Sequence, residues 1–164
     1  MPATYTEDGS EHIIKGIGSI LEGIRQSAGY NTSPRVQRGY FDQGILGEGR
    51  LPAVYYEIAL DRDESRTQGE NLARGDEGKL PVAVLAVCSS SSGISTELNR
   101  LIRDIKRVLQ VSSYAWPEWA GGYGIIDGLE FGEIRRSIPE GSSLQAAMIL
   151  LLISYSERMD VTGA

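Results

Sequence analysis

The chain has 164 residues, 41% of them apolar and 23% charged, and its net charge is −6. That size and balance suit one soluble globular domain able to bury about two-thirds of its unfolded surface, while the acidic excess argues against a nucleic-acid binder, which needs a basic surface. The single cysteine, Cys88, excludes an internal disulfide or a cysteine-rich zinc site, the polar, acidic start MPATYTEDGSE lacks the basic and apolar regions of a secretory signal, and the longest apolar run, Ala146–Ile153, is too short to span a bilayer as a helix.

These features point to a soluble intracellular domain over residues 1–164, with residues 1–9 a loose tail. From Ser10, the spacing of Ile13, Ile14, Ile17, Ile20, Leu21 and Ile24 predicts a helix. Asp8 or Ser10 is placed to cap it and Gly29 to stop it. Gly16, Gly18 and Gly23 inside this helix together cost about 3 kcal/mol relative to alanine, so it needs a packing partner. The glycines then permit close approach to a sheet or to a neighbouring subunit. A turn cluster, Gly29–Pro34, leads into a first strand, Arg35–Phe41, and a glycine-marked loop follows. Pro52–Leu60 reads as a second strand. Val82–Cys88, apolar on both faces, reads as an interior strand. Pro52 and Pro81 each fit a first strand position, where a missing donor does least harm.

Between those two strands lies Asp61–Lys79, with ten charged residues, six acidic and four basic, and three glycines. So long a polar connection is uncommon in a compact domain, and it reads as a charged hairpin arm over residues 61–80. After Ser89–Gly93, the stripe Ile94, Leu98, Leu101, Ile102, Ile105, Val108 and Leu109 predicts a second helix. Its opposite face carries Glu97, Arg100, Arg103, Asp104, Lys106 and Arg107, either a solvated surface or a contact for an acidic partner. Trp116 and Trp119 mark an irregular stretch and either cover the end of the core or anchor an interface. Tyr123–Ile126 and Leu129–Ile138 suggest short strands. Leu144–Ser156 is apolar on both faces and reads as a strand that is either central or covered by another chain. A short tail, 157–164, closes the sequence. The expected fold is α+β, a mostly antiparallel sheet with two main amphipathic helices packed on it and a long β-hairpin arm.

Catalytic chemistry finds little support. His12, the only histidine, lies beside the first helix, away from any nucleophile-elbow serine. Cys88 belongs to an apolar strand, and the serines 89–92 have no base. Gly16-Ile17-Gly18 lacks the preceding strand of a dinucleotide fingerprint, and no Walker A pattern occurs. The acidic spacing Asp61, Asp63, Ser65, Thr67 fails as a calcium loop, because Arg66 and Leu72 stand where glycine and glutamate are needed. No enzymatic role, cofactor or metal is expected.

The order of elements is informative where motifs are not. An amphipathic helix is followed by Gly-Tyr-Asn-Thr (29–32) and the arginine-containing strand Arg35–Phe41. Leu51-Pro52-Ala53-Val54 then opens a strand, and the charged arm, another strand, the helix Ile94–Leu109 and the apolar last strand follow. Over residues 10–158 this arrangement resembles the tail terminator (tail-completion) proteins of long-tailed bacteriophages. The resemblance implies a homo-oligomeric, hexameric ring in the virion neck, assembled in the host cytoplasm. Such a ring caps the tail tube protein, stops its polymerisation and meets the head–tail connector, with no membrane contact and no direct nucleic-acid recognition. The candidate protein contacts are Arg62, Glu64, Arg66, Glu70, Arg74 and Lys79 of the arm, Arg100, Arg103 and Arg107 of the second helix, and Trp116 and Trp119. The competing readings are another neck, connector or minor tail protein, and, in a different class, a small enzyme or ligand-binding module without a recognisable motif.

Overall fold

A computed structural model describes residues 9–39, 50–59, 77–89, 94–112, 124–137 and 144–157. The expected first-strand end and following loop (40–49), most of the arm (61–76), both tryptophans and most of both tails lie outside them. Within them the fold is α+β: helix α1 (Gly9–Leu21), strands β1 (Arg35–Arg38), β2 (Ala53–Ile58) and β3 (Glu77–Ser89), helix α2 (Ile94–Val111), then β4 (Gly124–Ser137) and β5 (Leu144–Glu157). The five strands form one sheet in the order β1-β2-β3-β5-β4. Only β1 and β2 run parallel; every other pair is antiparallel.

The backbone of the sheet is the β3–β5 pair, which stays in register from Glu77 opposite Ser156 to Ser89 opposite Leu144. Because side chains alternate between faces, Leu80, Val82, Val84, Ala86 and Cys88 share one face with Ala147, Ile149, Leu151 and Ile153. All of these are buried in a single core. Both helices cover that face. α1 contributes Ile13, Ile14, Ile17 and Leu21, and α2 contributes Leu98, Leu101, Ile102, Ile105, Val108 and Leu109. Ile24 is buried too, although α1 ends at Leu21. Gly29 therefore does not stop α1; with φ of 90° it caps a short 3-10 turn at Gln26–Ala28. Ser10 lies inside the helix, and Asp8 is outside the described residues.

Three sequence expectations change. β3 begins at Glu77, so residues 77–80 of the expected arm, Lys79 among them, are ladder residues paired with β5. Pro81 consequently stands four residues inside a strand, not at its start. It is tolerated because it lies opposite Ala59, one residue past the end of β2: Ala59 N donates to Pro81 O at 2.9 Å, and the donor that proline lacks would have served only Ala59 O, outside the strand. The two short strands expected around 123–138 are one strand, β4. Its register slips by one residue between Ile126 and Gly128 and again between Phe131 and Ile134. The gap between the two expected strands, Asp127-Gly128, is the site of the first slip, a β-bulge.

One glycine of α1 is explained by close approach. A Cβ at Gly18 would sit 2.1 Å from the Tyr56 hydroxyl oxygen and 2.4 Å from its Cζ, so the ring of β2 lies directly against the helix backbone. Gly18→Ala is expected to destabilise the protein by about 1–2 kcal/mol, overpacking outweighing the gain in helix propensity. In a Tyr56→Ala background the same change stabilises by up to about 1 kcal/mol, because only propensity remains. Denaturant unfolding of the four proteins checks the reversal of sign. Stabilisation by Gly18→Ala with Tyr56 present would show that the ring yields freely.

Candidate interaction surface

The buried side chain that organises the helix layer is a charged one. Asp104 is fully buried in α2, although its charge made it read as part of the solvated face. It follows Leu101 by three residues and precedes Val108 by four, which places it on the packed stripe. Its carboxylate accepts four hydrogen bonds from the segment entering β1. Asn31 donates through N and Nδ2 to Oδ1, both at 3.1 Å. Thr32 donates through N at 2.8 Å and Oγ1 at 2.6 Å to Oδ2. Next to it, Arg107 donates from Nη1 to Gly29 O at 3.0 Å and lies over the Tyr30 ring, 4.9 Å from its centroid. The stretch Gly29–Thr32 is thus held residue by residue by one turn of α2. Arg107 belongs to this clamp and is exposed on α2 all the same.

A second clamp joins α1 to the sheet edge. Arg38 of β1 meets the Glu11 carboxylate through both terminal nitrogens, Nη2 at 3.0 Å, and turns its Nε toward Glu57 at 3.4 Å. The Arg38 hydrogen bonds hold the Glu11 carboxyl below its usual range, and the two carboxylates raise the Arg38 pKa in turn.

The other sheet face has no helix on it among the described residues. At one end Ala53, Tyr55, Val87 and Ala146 form a small buried cluster against Leu51, Leu85 and Leu144. Further along, Pro81, Ala83, Leu85, Leu150 and Leu152 are only half-buried, and Met148 is 38% exposed. One-sided antiparallel sheets normally alternate apolar and polar residues. Here two adjacent central strands present apolar side chains to both sides, and the outer patch is half-buried except at Met148.

Of the residues singled out from sequence, Arg100 and Arg103 are exposed on α2. Lys79 is exposed on β3. Arg62, Glu64, Arg66, Glu70, Arg74, Trp116 and Trp119 lie outside the described residues. The structure brings Arg100 and Arg103 onto one helix face; Lys79 belongs to the sheet. Sequence reasoning missed Asp104, Glu11 and Arg38, whose partners lie up to 73 residues away. The one available signal was the placement of Asp104 within the apolar spacing of α2.

Chemically this surface is suited to contact. Among the described residues no group of three His, Cys, Asp or Glu side chains is placed to hold a metal ion. Burial pushes the Cys88 thiol up to about 11, far from the reactive range at neutral pH. His12 lies half-buried on α1. No described helix is long and apolar enough to cross a membrane. No protein-family model matches this chain, and no curated protein does.

Two outcomes follow from the clamps. Asp104→Ala should cost about 3 kcal/mol, since four donors lose a charged acceptor and two of them are buried, and amide exchange at Asn31 and Thr32 should speed up selectively. Arg100→Ala should stay within about 0.5 kcal/mol of the parent; equal effects would deny Asp104 its special position. Glu11→Gln should cost about 0.5–1 kcal/mol at neutral pH, as fits a partly exposed pair. Because folding lowers the Glu11 pKa from 4.5, that stabilisation is complete above 4.5 and fades as pH falls through the depressed folded value. A difference between the two proteins that grew on acidification would contradict the pairing.

Proposed function

We propose that the chain is a virion structural protein, a tail terminator of a long-tailed bacteriophage. In this reading it closes into a ring, hexameric in the family it resembles, caps the tail tube, stops tube polymerisation and offers the surface that the head–tail connector joins. The observation that carries the reading is the partly exposed apolar patch of the β3–β5 pair, Pro81, Ala83, Leu85, Met148, Leu150 and Leu152. Contiguous apolar surface of this kind marks contact with other proteins. A ring needs a heterologous contact, one face of the subunit meeting a different face of its neighbour. This sheet face supplies one side, and the exposed arginines of α2, Arg100 and Arg103, are available to the other or to the tube. The chemistry of capping is steric and requires no cofactor.

The arm enters as a docking element. Its candidate contacts are Arg62, Glu64, Arg66, Glu70 and Arg74, whose mixed signs suit a protein surface better than phosphate. Since Glu77 opens β3, deletion of residues 64–76 removes the arm without touching the ladder. The deletion variant should keep the parent circular dichroism and unfolding midpoint, yet leave tail tubes longer when added to a tube polymerisation assay imaged by electron microscopy. Tubes stopped at the same length by both proteins would return the arm to a solvated loop. Failure of the parent itself to stop tubes, or to sit at the head-proximal end of the tail, would overturn the tail terminator reading.

A further inference from the structure

The two edges of the sheet are built differently. The β4 edge carries two bulges and the charged residues Asp127, Glu130 and Glu133, the usual protections against adding a strand. The β1 edge carries neither bulge nor acidic residue. Arg35 N donates to Pro52 O and Gly39 N to Tyr56 O, each at 2.9 Å. In a parallel ladder this alternation directs the N–H and C=O of Val36 and Arg38 away from β2, toward the outside. Pro34, two residues earlier, has no N–H to offer there, so among the described residues the open ladder begins at Val36.

Beside Val36 lies a cavity of about 540 Å³, lined among others by Glu22, Arg25, Ser33, Pro34 and Arg50. Arg25 uses Nε on Glu22 O at 3.2 Å, and Arg50 uses one Nη2 on Ser33 O at 3.3 Å. Each guanidinium has five N–H donors, so most remain to be filled, and both side chains are exposed. In a chain of net charge −6, two arginines against one glutamate make a local basic site.

We propose that the outer edge of β1 binds an extended acidic peptide as an added strand, its backbone on Val36 and Arg38 and its carboxylates on Arg25 and Arg50. Main-chain hydrogen bonds supply affinity in such strand addition, and pockets for alternate side chains supply selectivity. Arginine forks suit carboxylates geometrically. A nucleic acid would satisfy the arginines but not the strand edge. This inference needs a single protomer and stands independently of the ring.

The probe is a fluorescent hexapeptide of alternating glutamate and valine, followed by anisotropy with the full-length protein. Saturable binding is expected, weakened at least about tenfold by Arg25→Glu combined with Arg50→Glu. A lysine–valine peptide should not bind. Methylating alternate backbone amides of the probe should abolish binding, a control that leaves the protein untouched and so avoids any folding defect. Absence of saturable binding would overturn the proposal. So would equal binding of the methylated probe, or equal displacement by a thymidine oligonucleotide, since either would reduce the site to a patch that attracts anions.

Discussion

The β3–β5 ladder is the constraint from which the rest of the architecture follows. Thirteen residues of β3 stay in continuous register with β5, and both strands are apolar on alternate positions facing either side. A single-residue slip would exchange the buried set Val82, Val84, Ala86 for Pro81, Ala83, Leu85. Among the described residues only one of these two faces receives helices. Everything assembled on that side, from the α1 isoleucines to the α2 stripe, serves to bury it. The other face follows from the same sequence pattern and is buried at one end and partly exposed along Pro81, Ala83, Leu85, Met148, Leu150 and Leu152. β2 and β1 are much shorter than β3, so the sheet narrows to a small edge at β1, whereas β4 runs nearly the full length of β5 and is guarded by its bulges.

Two polar clamps fix the helices against this frame. Asp104 ties α2 to the chain entering β1, and Arg38 ties β1 and β2 to the first turns of α1 through Glu57 and Glu11. The clamps differ in kind. Asp104 is fully buried and its four donors come from two consecutive residues, so geometry is specified tightly. Arg38 and its carboxylates are about a third exposed or less, and solvent weakens what that network contributes. The Asp104 clamp ends on the connection between α1 and β1, whereas the Arg38 clamp joins the two elements which that connection links. The basic cavity beside β1 is built on the same anchored segment.

The sequence made the periodic elements legible and left the long-range polar ones hidden. The α1 and α2 stripes, the strand character of Leu144–Ser156 and the doubly apolar Val82–Cys88 all follow from spacing, because burial on one side imposes its period on local sequence. The glycines of α1 were read as a device for close approach, and Gly18 against Tyr56 is such a contact. Boundaries were harder. Glu77–Leu80 is charged and glycine-bearing yet belongs to β3, since its partner strand, not its own composition, extends it. Asp127-Gly128 separates two expected strands where β4 only bulges. Asp104 was misplaced because a carboxylate is ordinarily solvated, and the Asn31 and Thr32 donors that reverse this expectation lie more than 70 residues away. Of the candidate contacts on α2, Arg100, Arg103 and Arg107 are all exposed, as their spacing implies, and Arg107 also joins the Asp104 clamp.

The central claim is that the partly exposed apolar patch of β3 and β5 is a protein interface. It is tested most directly by native mass measurement of the parent protein beside a variant carrying Met148→Lys and Leu150→Asp, both on that face and neither in the helix-covered core. The account predicts a closed oligomer for the parent, a hexamer on the family resemblance, and a folded monomer with unchanged circular dichroism for the variant. A parent that stays monomeric as concentration rises, or a variant that assembles as the parent does, would contradict it.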